Sequence, residues 1–96
     1  MINSFGDKLT EDLFHGNKNK RILRIPNNVI ERTHMKLDLI NAAQSLYDLK
    51  APPSNMLEKL KGDLSGFYSI RVNDQYRIIF KWLRNNAFEV KLTDYH

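Results

Sequence analysis

The chain has 96 residues, with 15 Lys and Arg against 11 Asp and Glu, a formal charge of +4 and no cysteine. That length makes one domain, residues 1–96, with a modest core, and the missing cysteines exclude a disulfide scaffold and fit a reducing cytoplasm. No apolar run approaches the ~20 residues of a membrane span and the N-terminus lacks a signal-peptide core, while the positive balance favours a polyanionic partner such as nucleic acid.

In chain order, Ile2 to Phe5 reads as a short opening strand. Leu9, Leu13 and Phe14 then mark a short helix with Asp7 or Thr10 available as its cap. Gly16-Asn17-Lys18-Asn19-Lys20 is a polar loop, and Lys18, Lys20, Arg21 and Arg24 concentrate positive charge in and just after it. Pro26 suits the first position of a longer helix, where its missing N–H would be unpaired anyway. Ile30, Leu37, Ile40 and Ala43, then Leu46 and Tyr47, recur at three- and four-residue spacing and predict one buried helical face. Pro52-Pro53 ends any helix.

The period then changes from helical to two. Tyr68, Ile70 and Val72 alternate with polar residues, as do Ile78, Phe80 and Trp82, and then Phe88, Val90 and Leu92. Three strands in series after two helices predict an α+β fold with one antiparallel sheet. A two-residue turn at Asp74-Gln75 would place the apolar sets on opposite faces, because cross-strand partners share a face. An odd loop that pairs Val72 with Ile78, Ile70 with Phe80 and Tyr68 with Trp82 avoids this. It leaves Arg71, Arg77 and Lys81 together on an open face.

The chemistry-bearing residues lie mainly in this second half. The chain closes on Asp94-Tyr95-His96, and an imidazole, with its unperturbed pKa of roughly 6.5, exchanges protons near neutrality. An acid/base group near fixed guanidinium groups is what phosphodiester cleavage requires, since arginines neutralise developing negative charge. Each candidate has a plainer reading too. His96 reads as a frayed end, Asp94 as solvated, Arg71 and Arg77 as an outer sheet face, and Lys61 beside Gly62 as a loop lysine. His15 and His34 read as surface or packing residues. Three scattered histidines without cysteine give no zinc-type spacing, and no Gly-rich phosphate loop is present, so no metal or other cofactor is expected.

From Ala51 to His96 the chain resembles the HigB-type toxins of the RelE superfamily. The residues that carry the resemblance are Pro52-Pro53, Leu57 to Gly62, the hairpin Ser69 to Phe80 and Asp94-Tyr95-His96. The N-terminal half fits the family layout of strand, two helices and three strands. By position the resemblance implies an active site of Lys61, Arg77, Asp94, Tyr95 and His96, with Arg71 from the shared hairpin. Glu58 stands where some relatives carry His.

The implied activity is metal-independent cleavage of messenger RNA in the ribosomal A site by 2′-hydroxyl attack. His96 or Lys61 would move protons, Arg77 with Arg71 would stabilise charge, and Tyr95 would stack on a base or orient the phosphate. Lys18, Lys20, Arg21, Arg24 and Lys81 are the expected RNA and ribosome contacts. The implied partners are the ribosome, its message and a HigA-type helix-turn-helix antitoxin, with DNA reached only through that antitoxin and no membrane. A non-catalytic member of the same fold that binds RNA or antitoxin is the alternative.

Overall fold

The computed structural model describes residues 1–94. Its described elements are α1 (Lys8–His15), α2 (Asn27–Ala42) and four strands, β1 (Glu58–Lys59), β2 (Phe67–Arg71), β3 (Tyr76–Leu83) and β4 (Asn86–Asp94). The strands form an antiparallel sheet in the order β1-β2-β3-β4. The expected α+β class is what the structure shows.

Two details of the layout differ from expectation. The opening strand reduces to two isolated parallel bridges, Ile2 with Ala87 and Phe5 with Val90. Gly6 ends that segment against β4, where a Cβ would lie 3.0 Å from the Glu89 carbonyl oxygen and from the Lys91 Cβ. A two-residue strand, β1, is added at the other edge. It is too short for alternation to reveal.

Helix α1 starts at Asp7, whose carboxylate accepts from the Thr10 N–H at 2.9 Å, and it stops at Gly16, which takes the left-handed φ of 71°. Both are ordinary cap solutions for unpaired helix-end groups. Pro26 sits one place earlier than expected, just outside α2. The helix ends at Ala42, so Leu46 and Tyr47 belong instead to a 3-10 turn, Leu46–Lys50, and Tyr47 is exposed rather than buried.

The core lies between the helices and one sheet face. Leu37 and Ile40 of α2 meet Ile70, Ile78, Phe80 and Val90, all fully buried. Phe80 stacks against Tyr68 and meets Trp82 edge-on. Burying each such side chain contributes ~1.5–3 kcal/mol, and a good aromatic pair adds ~0.5–1.5 kcal/mol. The buried Thr10 hydroxyl fastens α1 to the sheet by accepting from the Leu92 N–H at 2.9 Å.

The β2–β3 register has the expected parity but is displaced by two residues. Ile70 faces Ile78 and Tyr68 faces Phe80, so Arg71 lies directly opposite Arg77. The cause is the turn. Asn73 Oδ1 accepts from the N–H groups of Gln75 (2.9 Å) and Tyr76 (2.7 Å), closing a three-residue loop without glycine. Further along, a register shift between Ile79 and Lys81 coincides with a positive φ at Glu89. This β-bulge reverses the facing of the residues before it, so Ala87 points into the core. Phe88 faces outward beside Lys81, contrary to its expected place with Val90 and Leu92.

Candidate active site

Arg77 is the centre of the outer sheet face. It is only 8% exposed, and this corrects the expectation of an open arginine. Its Nε–H donates to Ser69 Oγ at 2.9 Å, one terminal nitrogen donates to the Met56 carbonyl at 2.7 Å, and the Glu58 carboxylate lies 3.9 Å away. Two directed bonds and a counter-charge hold the planar guanidinium in one orientation.

The local sequence explains why that carbonyl is in place. Asn55 is fully buried, and its amide donates to the carbonyls of Leu49 and Ala51 at 3.1 Å each, which ties the turn after the double proline to the preceding segment. Met56 follows with a left-handed φ of 45°, uncommon for a residue with a side chain, and this conformation accompanies its bond to Arg77. Sequence reasoning missed Ser69 and Met56. Their part in the site depends on the strand register and on backbone geometry, neither of which has a residue signature.

Arg71 faces Arg77 across β2 and β3, and Thr93 faces Arg77 across β3 and β4. Directly opposed residues have Cβ atoms ~4.5–5.5 Å apart, a costly spacing for two cations unless countered. Arg71 is bonded to Asp74 and Arg77 is near Glu58, so each guanidinium has its own carboxylate. Thr93 Oγ1 is buried and has no hydrogen-bond partner among the described residues. Asp94 ends the described part of β4, opposite Tyr76, and accepts from Gln75 Nε2 at 3.1 Å.

One end of the sheet thus collects Arg71, Arg77, Thr93 and Asp94, with Glu58 reaching in from β1. Tyr95 and His96 lie outside the described residues.

The other candidates stand elsewhere. Lys61 is exposed and precedes the turn Gly62–Leu64. It lies three residues beyond Glu58, running away from Arg71. Counted along the strands it is about five positions, ~16 Å, from the arginine row. Lys81 is four residues along β3 from Arg77, paired with Glu89 at 2.8 Å and set 5.1 Å from the centre of the Phe67 ring.

Lys18, Lys20, Arg21 and Arg24 are exposed on the connection between the two helices, away from the outer sheet face. That connection is anchored by Asp12, which accepts from the side-chain amides of Asn19 (2.8 Å) and Asn17 (3.4 Å). The Asn19 bond is the main reason the Asp12 carboxyl titrates below its ordinary value. His15 packs edge-on against Phe14, and His34 pairs with Asp38 on the surface of α2.

No group of three or more metal-binding side chains occurs among the described residues, and no described helix is long and apolar enough to cross a membrane. What the arginine row can do is hold an anion that spans neighbouring strands. A phosphate suits it, since planar guanidinium groups recognise phosphate oxygens through paired N–H donors.

Comparison with known proteins points the same way. Residues 3–96 match the family model of the HigB-like toxin, described as a RelE-like toxin of type II toxin–antitoxin system HigB. Toxin HigB-1 of Vibrio cholerae is 40% identical over 92 residues, 96% of this chain and 95% of the relative. Endoribonuclease HigB of Proteus vulgaris is 30% identical over 96 residues, the whole of both chains. Among solved structures, the YoeB–YefM complex from Staphylococcus aureus superposes with a TM-score of 0.62 at 21% identity, covering 100% of this chain and 98% of the other. The YoeB dimer from the same organism gives 0.60 at 22% identity, covering 99% and 97%. At that identity these two structures speak for the fold.

Proposed function

This chain belongs to the HigB-like family of RelE-like toxins from type II toxin–antitoxin systems, and from that membership we propose that residues 1–96 act as one domain that cleaves messenger RNA in the ribosomal A site. The observation that carries the reading is the fixed guanidinium of Arg77, bonded to Ser69 and Met56 and directly opposite Arg71. The relative named an endoribonuclease supports the activity, and the relatives as a group support an antitoxin partner.

The reaction is a transesterification within the RNA. The 2′-oxygen forms a bond to the adjacent phosphorus, the bond from phosphorus to the 5′-oxygen breaks, and the products are a 2′,3′-cyclic phosphate and a 5′-hydroxyl. The 2′-hydroxyl proton passes to a base and the departing oxygen gains one from an acid. His96 and Asp94 are the groups proposed for these transfers, because Lys61 stands about five positions along the strands from the arginine row. The phosphorane-like transition state carries an added negative charge on its non-bridging oxygens. Arg77, with Arg71 beside it, meets that charge without reorganising, because its bonds are already made.

Tyr95 serves as a stacking or phosphate-orienting group. The ribosome holds the message in the in-line geometry that this small surface does not impose by itself. Lys18, Lys20, Arg21, Arg24 and Lys81 contribute salt-sensitive contacts to RNA. The antitoxin is of the HigA type, and the toxin works in the cytoplasm, where ribosomes are.

Product chemistry tests the reaction. Cleaved message should end in a 2′,3′-cyclic phosphate facing a 5′-hydroxyl, and a 2′-O-methyl group at the cleaved nucleotide should stop the reaction. Cleavage of the methylated message, or a 5′-phosphate product, rules the mechanism out.

A further inference from the structure

Beside the arginine row is a second basic feature. A cleft of about 440 Å³ opens between α2 and the end of β2, lined by Arg32, Met35, Lys36, Ser54, Arg71 and Val72. Its volume is in the range of small-ligand sites, and three of its six lining residues are cations. Arg32 and Lys36 are one helical turn apart on α2, so they share a face.

Arg71 belongs to both features. It lines the cleft and lies directly opposite Arg77. Among the described residues no carboxylate lies within ion-pairing distance of Arg32 or Lys36, and the one acid bonded to a lining residue is Asp74 on Arg71. Lys36 donates to the Asn55 side-chain oxygen, a neutral partner. Burial first, and then the nearby Arg32 charge, push the Lys36 ammonium below its ordinary pKa. Among the described residues the cleft therefore holds two closely spaced cations, Arg32 and Lys36, without a carboxylate partner, and an incoming anion would relieve their repulsion.

We infer that this cleft binds a phosphate of the RNA chain next to the one being cleaved, with Arg32 and Lys36 as its ligands and Arg71 joining it to the arginine row. The inference rests on the proposed RNA-cleaving function. The occupant is a phosphodiester rather than a free nucleotide, because the cleft opens beside a row that itself suits a phosphate, and successive phosphates of one strand would occupy both. Lys36 also couples the two features mechanically. Its bond to Asn55 steadies the residue that precedes Met56, whose carbonyl orients Arg77.

The test measures binding of the full chain to ribosomes carrying a 2′-O-methylated, uncleavable message, and to the same ribosomes without message, over a salt series. The variants are Arg32→Gln, Lys36→Gln and Lys36→Arg, each checked by circular dichroism. Arg32 is exposed, so its replacement leaves the fold intact even if Lys36→Gln disturbs Asn55. Arg32→Gln and Lys36→Gln should each weaken binding by about tenfold and lower the salt slope by about one, while Lys36→Arg retains both.

Loss confined to message-bearing ribosomes supports the cleft as a site for a message phosphate, whereas equal loss on both assigns it to ribosomal RNA and overturns the inference. Wild-type affinity and slope in both Gln variants overturns the cleft alone. So does unchanged RNA binding with weakened binding of purified antitoxin, which would make the occupant an acidic protein segment. A wild-type protein that binds neither ribosome overturns the cleft together with the proposed function.

Discussion

Replacing Arg77 with Ala should damage the protein twice, and the two effects can be separated. The side chain is 8% exposed and, among the described residues, makes two directed bonds, to Ser69 Oγ and the Met56 carbonyl. Each charged hydrogen bond contributes roughly 1.5–3 kcal/mol, and water reaching the abandoned partners recovers part of that, so the net loss of stability should be about 2–4 kcal/mol. Losing a pre-oriented charge donor should slow the chemical step by about 10²–10³-fold, as removal of one such donor does elsewhere.

Ser69→Ala gives the control. It removes the Nε anchor but leaves the guanidinium, so stability should fall by about 1 kcal/mol and the rate should fall less than for Arg77→Ala. Urea unfolding supplies the stability, and single-turnover cleavage of message in ribosomes supplies the rate, measured where each variant is fully folded. A folded Arg77→Ala protein that cleaves at the wild-type rate would refute the placement of Arg77 in the site. A rate loss that merely tracks instability across both variants would reduce Arg77 to a structural residue.

Two further outcomes are expected. Asp12 is held below its ordinary carboxyl value of 3.8, chiefly by the Asn19 amide, so its folded pKa lies under its unfolded one. Its stabilising contribution is then complete above about pH 5 and declines as pH falls through about 4 and lower, so wild-type urea midpoints should drop more steeply there than those of Asp12→Asn; parallel curves would exclude the linkage. Deleting Tyr95 and His96 removes none of the described core, whose last described member is Leu92, and none of the described strand pairs, of which the last on β4 is Tyr76 with Asp94. Stability by urea titration should change by less than about 1 kcal/mol while cleavage falls by orders of magnitude, and unimpaired cleavage would remove both residues from the site.

Alternation made β2, β3 and most of β4 legible because each has one face on the core and one away from it. Phe88 was misread for a local reason. The bulge at Glu89 adds a residue that shifts the facing of everything before it, and Glu89 carries no glycine to announce the positive φ. The turn was misjudged in the same way, since its geometry comes from the Asn73 side chain, and the resulting two-residue displacement hid the direct opposition of Arg71 and Arg77. Helix α2 was legible to Ile40, but its end at Ala42 was not, because no Gly or Pro immediately follows.

The arginines could be picked out as residue types. Their environment could not, because burial of Arg77 depends on Ser69 two places from Arg71 and on a carbonyl 21 residues upstream. The Arg32–Lys36 pair did carry a sequence signal, two cations one turn apart on a predicted helix. Only the fold sets them beside Arg71.

The most direct test of a ribosome-dependent nuclease compares one message in two states, free in solution and programmed into a ribosome, with the same purified protein at matched salt. The account predicts fast cleavage on the ribosome and very slow cleavage of free RNA, because in-line geometry has to be supplied from outside a surface that contributes mainly fixed positive charge. Equal rates in the two states would contradict it, and would make the protein a free-standing nuclease that orders its own substrate.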